Sequence, residues 1–275
     1  MRNLPKKVNR KFRYFLLALI AIGITGCSDD DDDEDVVTSQ ATGTINVEDQ
    51  ILSGNFLKVT SVNASTSAWL IVKKVNEDGS FSDIISHPVL IKTATNFYIK
   101  LTNTKAKNVE LEDGDTLALM LYADDGDGVI EIQGNTAQDM PVMDTAGNVL
   151  IETAVVTSPS IEIENQEVEE STLTFTNVST AGPGWIVVYN STSTGSIDEN
   201  DIIGYTYLME GDNADVIVSL DDTFTFTPGQ TVYTRIHQDN PNDEEFTIIE
   251  SLWTDGPEIF GFGADPTITE GVIIN

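Results

Sequence analysis

The chain has 275 residues, 45 Asp/Glu against 14 Lys/Arg, a formal net charge of −31 at pH 7 and one cysteine. Such a charge repels a nucleic-acid backbone and an anionic lipid surface alike, so neither is expected as a partner. A single cysteine excludes an intrachain disulfide.

The chain opens on a basic segment (Arg2, Lys6, Lys7, Arg10, Lys11, Arg13), followed by an apolar stretch from Tyr14 to Ile24 and then Thr25-Gly26-Cys27. A basic start, an apolar middle and a small residue at the end form the layout of a secretory signal. The stretch is about half of the roughly 20 apolar residues that span a bilayer as a helix. Ending on Gly26-Cys27, it resembles the lipobox of bacterial lipoproteins. That resemblance implies cleavage after residue 26 and acylation of Cys27, which leaves no thiol for catalysis or metal binding. Each buried methylene contributes about 0.8 kcal/mol, and two or more chains hold a protein stably on a membrane. Six of the 14 Lys/Arg precede Cys27 and no acid does, so the mature part carries eight against 45, a net of −37.

Ser28 comes next, followed by seven acids: Asp29, Asp30, Asp31, Asp32, Asp33, Glu34 and Asp35. A block of like charge repels itself and stays extended, so a solvated tether is one reading. Directly behind a lipidated cysteine, the run also resembles the surface-export signal of Bacteroidetes lipoproteins. Ser28 lacks the aspartate associated with inner-membrane retention. The resemblance implies an outer-membrane lipoprotein, lipid-anchored and facing the exterior. Residues 1–26 are expected as signal peptide, and 27–42 as lipidated cysteine and disordered acidic tether.

Beyond residue 42 the chain repeats itself. Thr44-Ile45-Asn46-Val47-Glu48-Asp49-Gln50 aligns with Ser160-Ile161-Glu162-Ile163-Glu164-Asn165-Gln166, and Trp69-Leu70-Ile71-Val72 with Trp185-Ile186-Val187-Val188, at one offset of 116 residues. Phe97, Ile99 and Leu101 then match Val216, Val218 and Leu220, and Gly114-Asp115-Thr116-Leu117 matches Gly229-Gln230-Thr231-Val232. The apolar runs are short, β-branched and separated by Gly, Asn, Asp and Ser clusters. Phe97-Ile99-Leu101 alternates, which places one face inward, whereas Trp69 to Val72 and Trp185 to Val188 read as central strands covered on both sides. The expectation is an all-β protein of two tandem immunoglobulin-like antiparallel β-sandwiches over 43–157 and 158–275, each of roughly seven strands, joined near Pro159.

Several of these runs resemble a described family of domains of unknown function. The leading strand with its Gln, Gly184-Trp185-Ile186-Val187-Val188, Asp201-Ile202-Ile203-Gly204, Gly229-Gln230-Thr231-Val232 and Ile236-His237-Gln238-Asp239 carry the likeness. In the first copy Met120-Leu121-Tyr122-Ala123-Asp124, then Asp139-Met140-Pro141-Val142 with Gly147-Asn148-Val149, fill the matching places. Tyr122 stands where the family has histidine. The family occurs as repeated surface modules in secreted haloarchaeal and bacterial proteins, and the resemblance implies a fold rather than an activity.

No catalytic residue emerges. His87 and His237 occupy non-equivalent positions and stand in no zinc-type spacing. A nucleophile elbow and a phosphate loop are both missing. With 45 acids, a pair of close carboxylates carries no weight as a hydrolase signal. The candidate metal ligands are Asp124, Asp125, Asp127 and Glu131, with Asp239 and Asp243 in the second copy. Calcium takes six to eight oxygens, and a glycine-containing turn lets carboxylates converge. The alternative is an acidic hairpin turn favoured for backbone reasons. Calcium is the one cofactor that these residues suggest. Trp253, Phe260 and Phe262 form a candidate aromatic platform for a sugar or protein partner, or else plug the end of a sandwich. Asp144-Thr145-Ala146 resembles a short O-glycan acceptor. The expected role is non-enzymatic, structural or binding, with glycan capture in a polysaccharide-uptake system as one rival and hydrolysis as another.

Overall fold

The computed structural model describes residues 40–102, 110–132, 138–167, 171–221, 223–240, 242–249, 252–253, 255–258 and 268–274. The signal segment, Cys27, the acidic run, Phe260 and Phe262 lie outside them, and Trp253 is described by its backbone alone. Among the described residues every regular element is a strand.

The first copy contains β1 (Gly43–Asn46), β2 (Gln50–Ile51), β3 (Phe56–Val75), β4 (Phe81–Ile84), β5 (Val89–Lys100), β6 (Asp115–Ala123), β7 (Met140–Pro141) and β8 (Ile151–Thr157). The 20-residue β3 pairs in two parts. Its first part pairs with β1 and the end of β5; its second part pairs with β4, the start of β5 and β6, which leads on to β8 and, in parallel, β2. The β3–β5 register slips between Asn63 and Ala68. The small side chains of Ala64-Ser65-Thr66-Ser67-Ala68 lie in that gap, between the two parts of β3 within one eight-stranded sheet.

The second copy contains β9 (Ser160–Glu162), β10 (Thr172–Thr180), β11 (Gly184–Ser191), β12 (Ile197–Leu208), β13 (Gly211–Ser219), β14 (Gln230–Gln238), β15 (Ile248–Ile249), β16 (Leu252–Trp253) and β17 (Ile268–Ile274). Here the long strand is cut at Ala181-Gly182-Pro183, where proline has no N–H to give a ladder. The result is a sheet ordered β13-β10-β9 facing one ordered β12-β11-β14-β17. Seven strands divided three and four form an immunoglobulin-like sandwich.

The repeat extends to pairing and packing. Leu57 lies opposite Ile99 and Val59 opposite Phe97 in the first copy; Leu173 lies opposite Val218 and Phe175 opposite Val216 in the second. Trp69 faces Tyr122 as Trp185 faces His237. Leu70 and Val72 enter the inner core while Ile71 joins an outer cluster with Ala118 and Met120. Ile186 and Val188 likewise point inward, and Trp185, Val187 and Tyr189 point outward. Both faces of this strand are thus covered, which is why its sequence is continuously apolar rather than alternating.

A glutamine braces each copy. Gln50 Oε1 accepts the Lys58 N–H at 2.8 Å while its Nε2 donates to the Lys58 carbonyl at 3.0 Å. Gln166 repeats this on Thr174, at 2.8 Å in both directions. The amide offers one donor and one acceptor, as a neighbouring backbone would, and closes the strand where no ladder partner reaches it.

Only Ser158 and Pro159 separate β8 from β9. Ser158 donates from its N–H and its hydroxyl to Asp113 Oδ1, at 2.7 and 3.0 Å. Across the junction Lys58 Nζ lies 3.1 Å from Glu210 Oε1. Ser53 sits between two side chains of the second copy, accepting from the Gln238 amide and donating to the Glu258 carboxyl.

Candidate functional site

The acidic loop after β6 is built by carboxylates that accept backbone N–H groups. Asp125 Oδ1 takes the Asp127 N–H at 3.2 Å and Asp127 Oδ1 the Val129 N–H at 2.7 Å, so each closes a tight turn on itself. Asp124 Oδ1 accepts the Gly128 N–H at 3.1 Å and the Trp69 indole N–H at 3.2 Å. Gly126 and Gly128 have φ of +110° and +73°, a backbone region that side chains disfavour. Beneath the loop lies Asp139, 3% exposed, whose two oxygens hold the Asp125 and Glu131 N–H groups at 3.3 and 2.7 Å.

The loop after β14 repeats the device. Asp255, 1% exposed, holds the Asn240 and Thr247 N–H groups at 2.8 and 2.7 Å. Asp239 accepts from the Asp243 and Glu244 N–H groups at 3.3 and 3.1 Å, and Tyr207 hydrogen-bonds it much as Trp69 does Asp124. Asp139 and Asp255 stand at the same 116-residue offset as the tryptophans. That spacing was the available signal for the pair, which composition alone hides among so many acids.

A family model described as Domain of unknown function (DUF7282) matches residues 43–157 and again residues 159–265. The chain belongs to this family. Each DUF7282 copy therefore corresponds to one of the repeated segments. Comparison with curated proteins gives no match. Among solved structures the chain is similar to one titled "Biofilm associated protein - BSP domain", at 9% identity and a TM-score of 0.26. That match covers 86% of this chain and 29% of the other.

Of the candidate metal ligands in the first DUF7282 copy, Asp124, Asp125 and Asp127 each place an oxygen within 4.8 Å of the others. Glu131 stays outside this trio, its N–H on Asp139 and its carboxylate on Gln138. Calcium would need carbonyls and water to complete the trio's coordination. In the second copy Asp243 donates its N–H to Asp239 and accepts the Glu245 N–H at 3.0 Å, and the pair joins no third ligand among the described residues.

The histidines differ as sharply as their positions. His87 is exposed, while His237 is fully buried. The His237 Nδ1 lies 2.7 Å from the Asp255 carbonyl and must donate to it, so Nε2 accepts from the Tyr189 hydroxyl, also at 2.7 Å. Burial holds His237 below the ordinary imidazole range and keeps it neutral. Trp185, 7% exposed, packs against Tyr207, Phe246 and Tyr205 at ring-centroid distances of 5.0, 5.5 and 5.8 Å. Trp69 is only half-buried, and among the described residues it makes no ring contact of this kind. The sequence places both tryptophans in the core; the structure keeps that placement for Trp185 and moves Trp69 to the rim.

Glu258 is the most perturbed carboxyl of the described residues. At 1% exposure, burial pushes it up to about 7, while the Ala181 N–H, the Thr180 hydroxyl and the Ser53 hydroxyl pull the other way. It lies on a groove of about 940 Å³ between the two copies. Phe56 and Tyr98, 48% and 63% exposed, line the same groove.

Proposed function

We propose that the chain is a lipid-anchored outer-membrane protein that faces the cell exterior and carries two β-sandwiches in a non-enzymatic structural or binding role. The observation that carries the non-enzymatic part is the repeated bracing by Asp139 and Asp255. These two buried carboxylates are engaged in holding loops, in the same way in both copies. The anchoring part rests on Gly26-Cys27 and the acidic run behind it. Mass spectrometry of the mature N-terminus should find Cys27 as first residue with diacylglyceryl and N-acyl groups. An unmodified start contradicts the anchor, and release of reducing sugar from a polysaccharide panel contradicts the non-enzymatic role.

A second reading, glycan capture, is favoured by one observation. Such a protein needs aromatic faces open to solvent on a rigid module, and Phe56 and Tyr98 meet that need on paired strands of the first sandwich.

A further inference from the structure

We infer that the groove between the two sandwiches binds a short neutral oligosaccharide, with Tyr98 and Phe56 as the stacking surfaces. The inference rests on the glycan-capture reading and gives it a site that differs from Trp253, Phe260 and Phe262.

The location comes first. A groove of about 940 Å³ where two modules meet is of the size and in the kind of place that small-ligand sites occupy. Its aromatic wall is held by rigid elements. Lys58 lies opposite Tyr98 and Phe56 opposite Lys100 in the β3–β5 ladder, and the intervening Leu57 and Ile99 are in the core. Alternation therefore fixes Phe56 and Tyr98 on the outer face; Tyr98 is the more open ring, while Lys100 Nζ lies over the Phe56 ring, 6.0 Å from its centroid.

Charge then selects the ligand. Among the described residues Lys58 is the one cation on the wall, and it is paired with Glu210 at 3.1 Å. Asp49 already accepts the Val155 N–H at 2.8 Å, and Asp239 accepts the Asp243 and Glu244 N–H groups. The wall is therefore net negative and gives an anion no free positive partner. A sugar ring needs no counter-charge: its C–H face stacks on an aromatic ring, and its hydroxyls seek groups that both donate and accept. The exposed amides of Gln238 and Asn240 supply such groups.

The test is isothermal titration of the full lipidated chain, held in a detergent without sugar groups, with maltohexaose, cellohexaose and mannohexaose. Polygalacturonate serves as an anionic control. At least one neutral hexamer should bind at millimolar concentration or below, and polygalacturonate should not. Tyr98→Ala should weaken binding by at least about tenfold with an unchanged melting temperature, as loss of a central aromatic contact does. Phe56→Ala should weaken it in the same direction. Failure of all three neutral hexamers, equal binding of polygalacturonate, or wild-type affinity in both variants overturns the inference. Surface display is read on intact cells without any sugar, so it stands or falls separately.

Discussion

Asp139 and Asp255 each hold two backbone N–H groups from beneath an acidic loop, and both are almost completely buried. Replacing either by alanine strands those donors, which costs about 1–3 kcal/mol for each buried group left unpaired. Asp255→Ala and Asp139→Ala should therefore lower the urea midpoint clearly, and the asparagine variants should fall between, since one acceptor oxygen remains. Glu258 gives a pH signature. Its carboxyl is held at about 7 against an ordinary value of 4.5, so the folded state binds the proton more tightly than the unfolded state. The associated stability is fully present below about pH 4.5 and is lost as pH rises through about 7, a change of roughly 3 kcal/mol. Denaturant titrations from pH 5 to 9 should show the wild type losing stability relative to Glu258→Gln. Parallel curves would place Glu258 in solvent. None of these roles is written in the acids themselves. Aspartate in a turn and aspartate under a turn have the same letter, and burial separates them only once the strands are paired.

At the scale of elements the sequence was far more legible. Apolar runs in the same order, at offsets close to 116 residues, revealed the duplication, and the pairs Leu57–Ile99 and Leu173–Val218 show why it was readable. Residues that face each other across a ladder are constrained together in both copies. The register slip inside β3 was not readable, because a stretch of Ala, Ser and Thr resembles ordinary strand. Its counterpart at Ala181-Gly182-Pro183 announces a break outright. Two changes probe this level. Trp185→Ala should cost about 3–5 kcal/mol, the usual cost for a large buried aromatic, and an unchanged unfolding midpoint would remove it from the core. Gln50→Ala should cost about 1 kcal/mol by unpairing the Lys58 N–H and carbonyl, with Lys58 amide exchange accelerated ahead of its neighbours.

Across the whole molecule, the strong negative charge and the short two-residue link combine with contacts from Ser53 and Lys58 to the second copy. The exposed Lys58–Glu210 pair contributes little on its own, at most about 1 kcal/mol. Ser53 adds hydrogen bonds to Gln238 and to the buried Glu258. Position along the chain ties this folded part to the acidic run and Cys27, and with them to the proposed place outside the cell. That place is tested most directly by adding protease to intact cells of the native host and following the folded part by immunoblot. The account predicts loss of the wild-type signal without lysis, whereas Cys27→Ser, which cannot be lipidated, should be absent from the outer-membrane fraction. A wild-type protein that survives protease until the cells are broken open would contradict it.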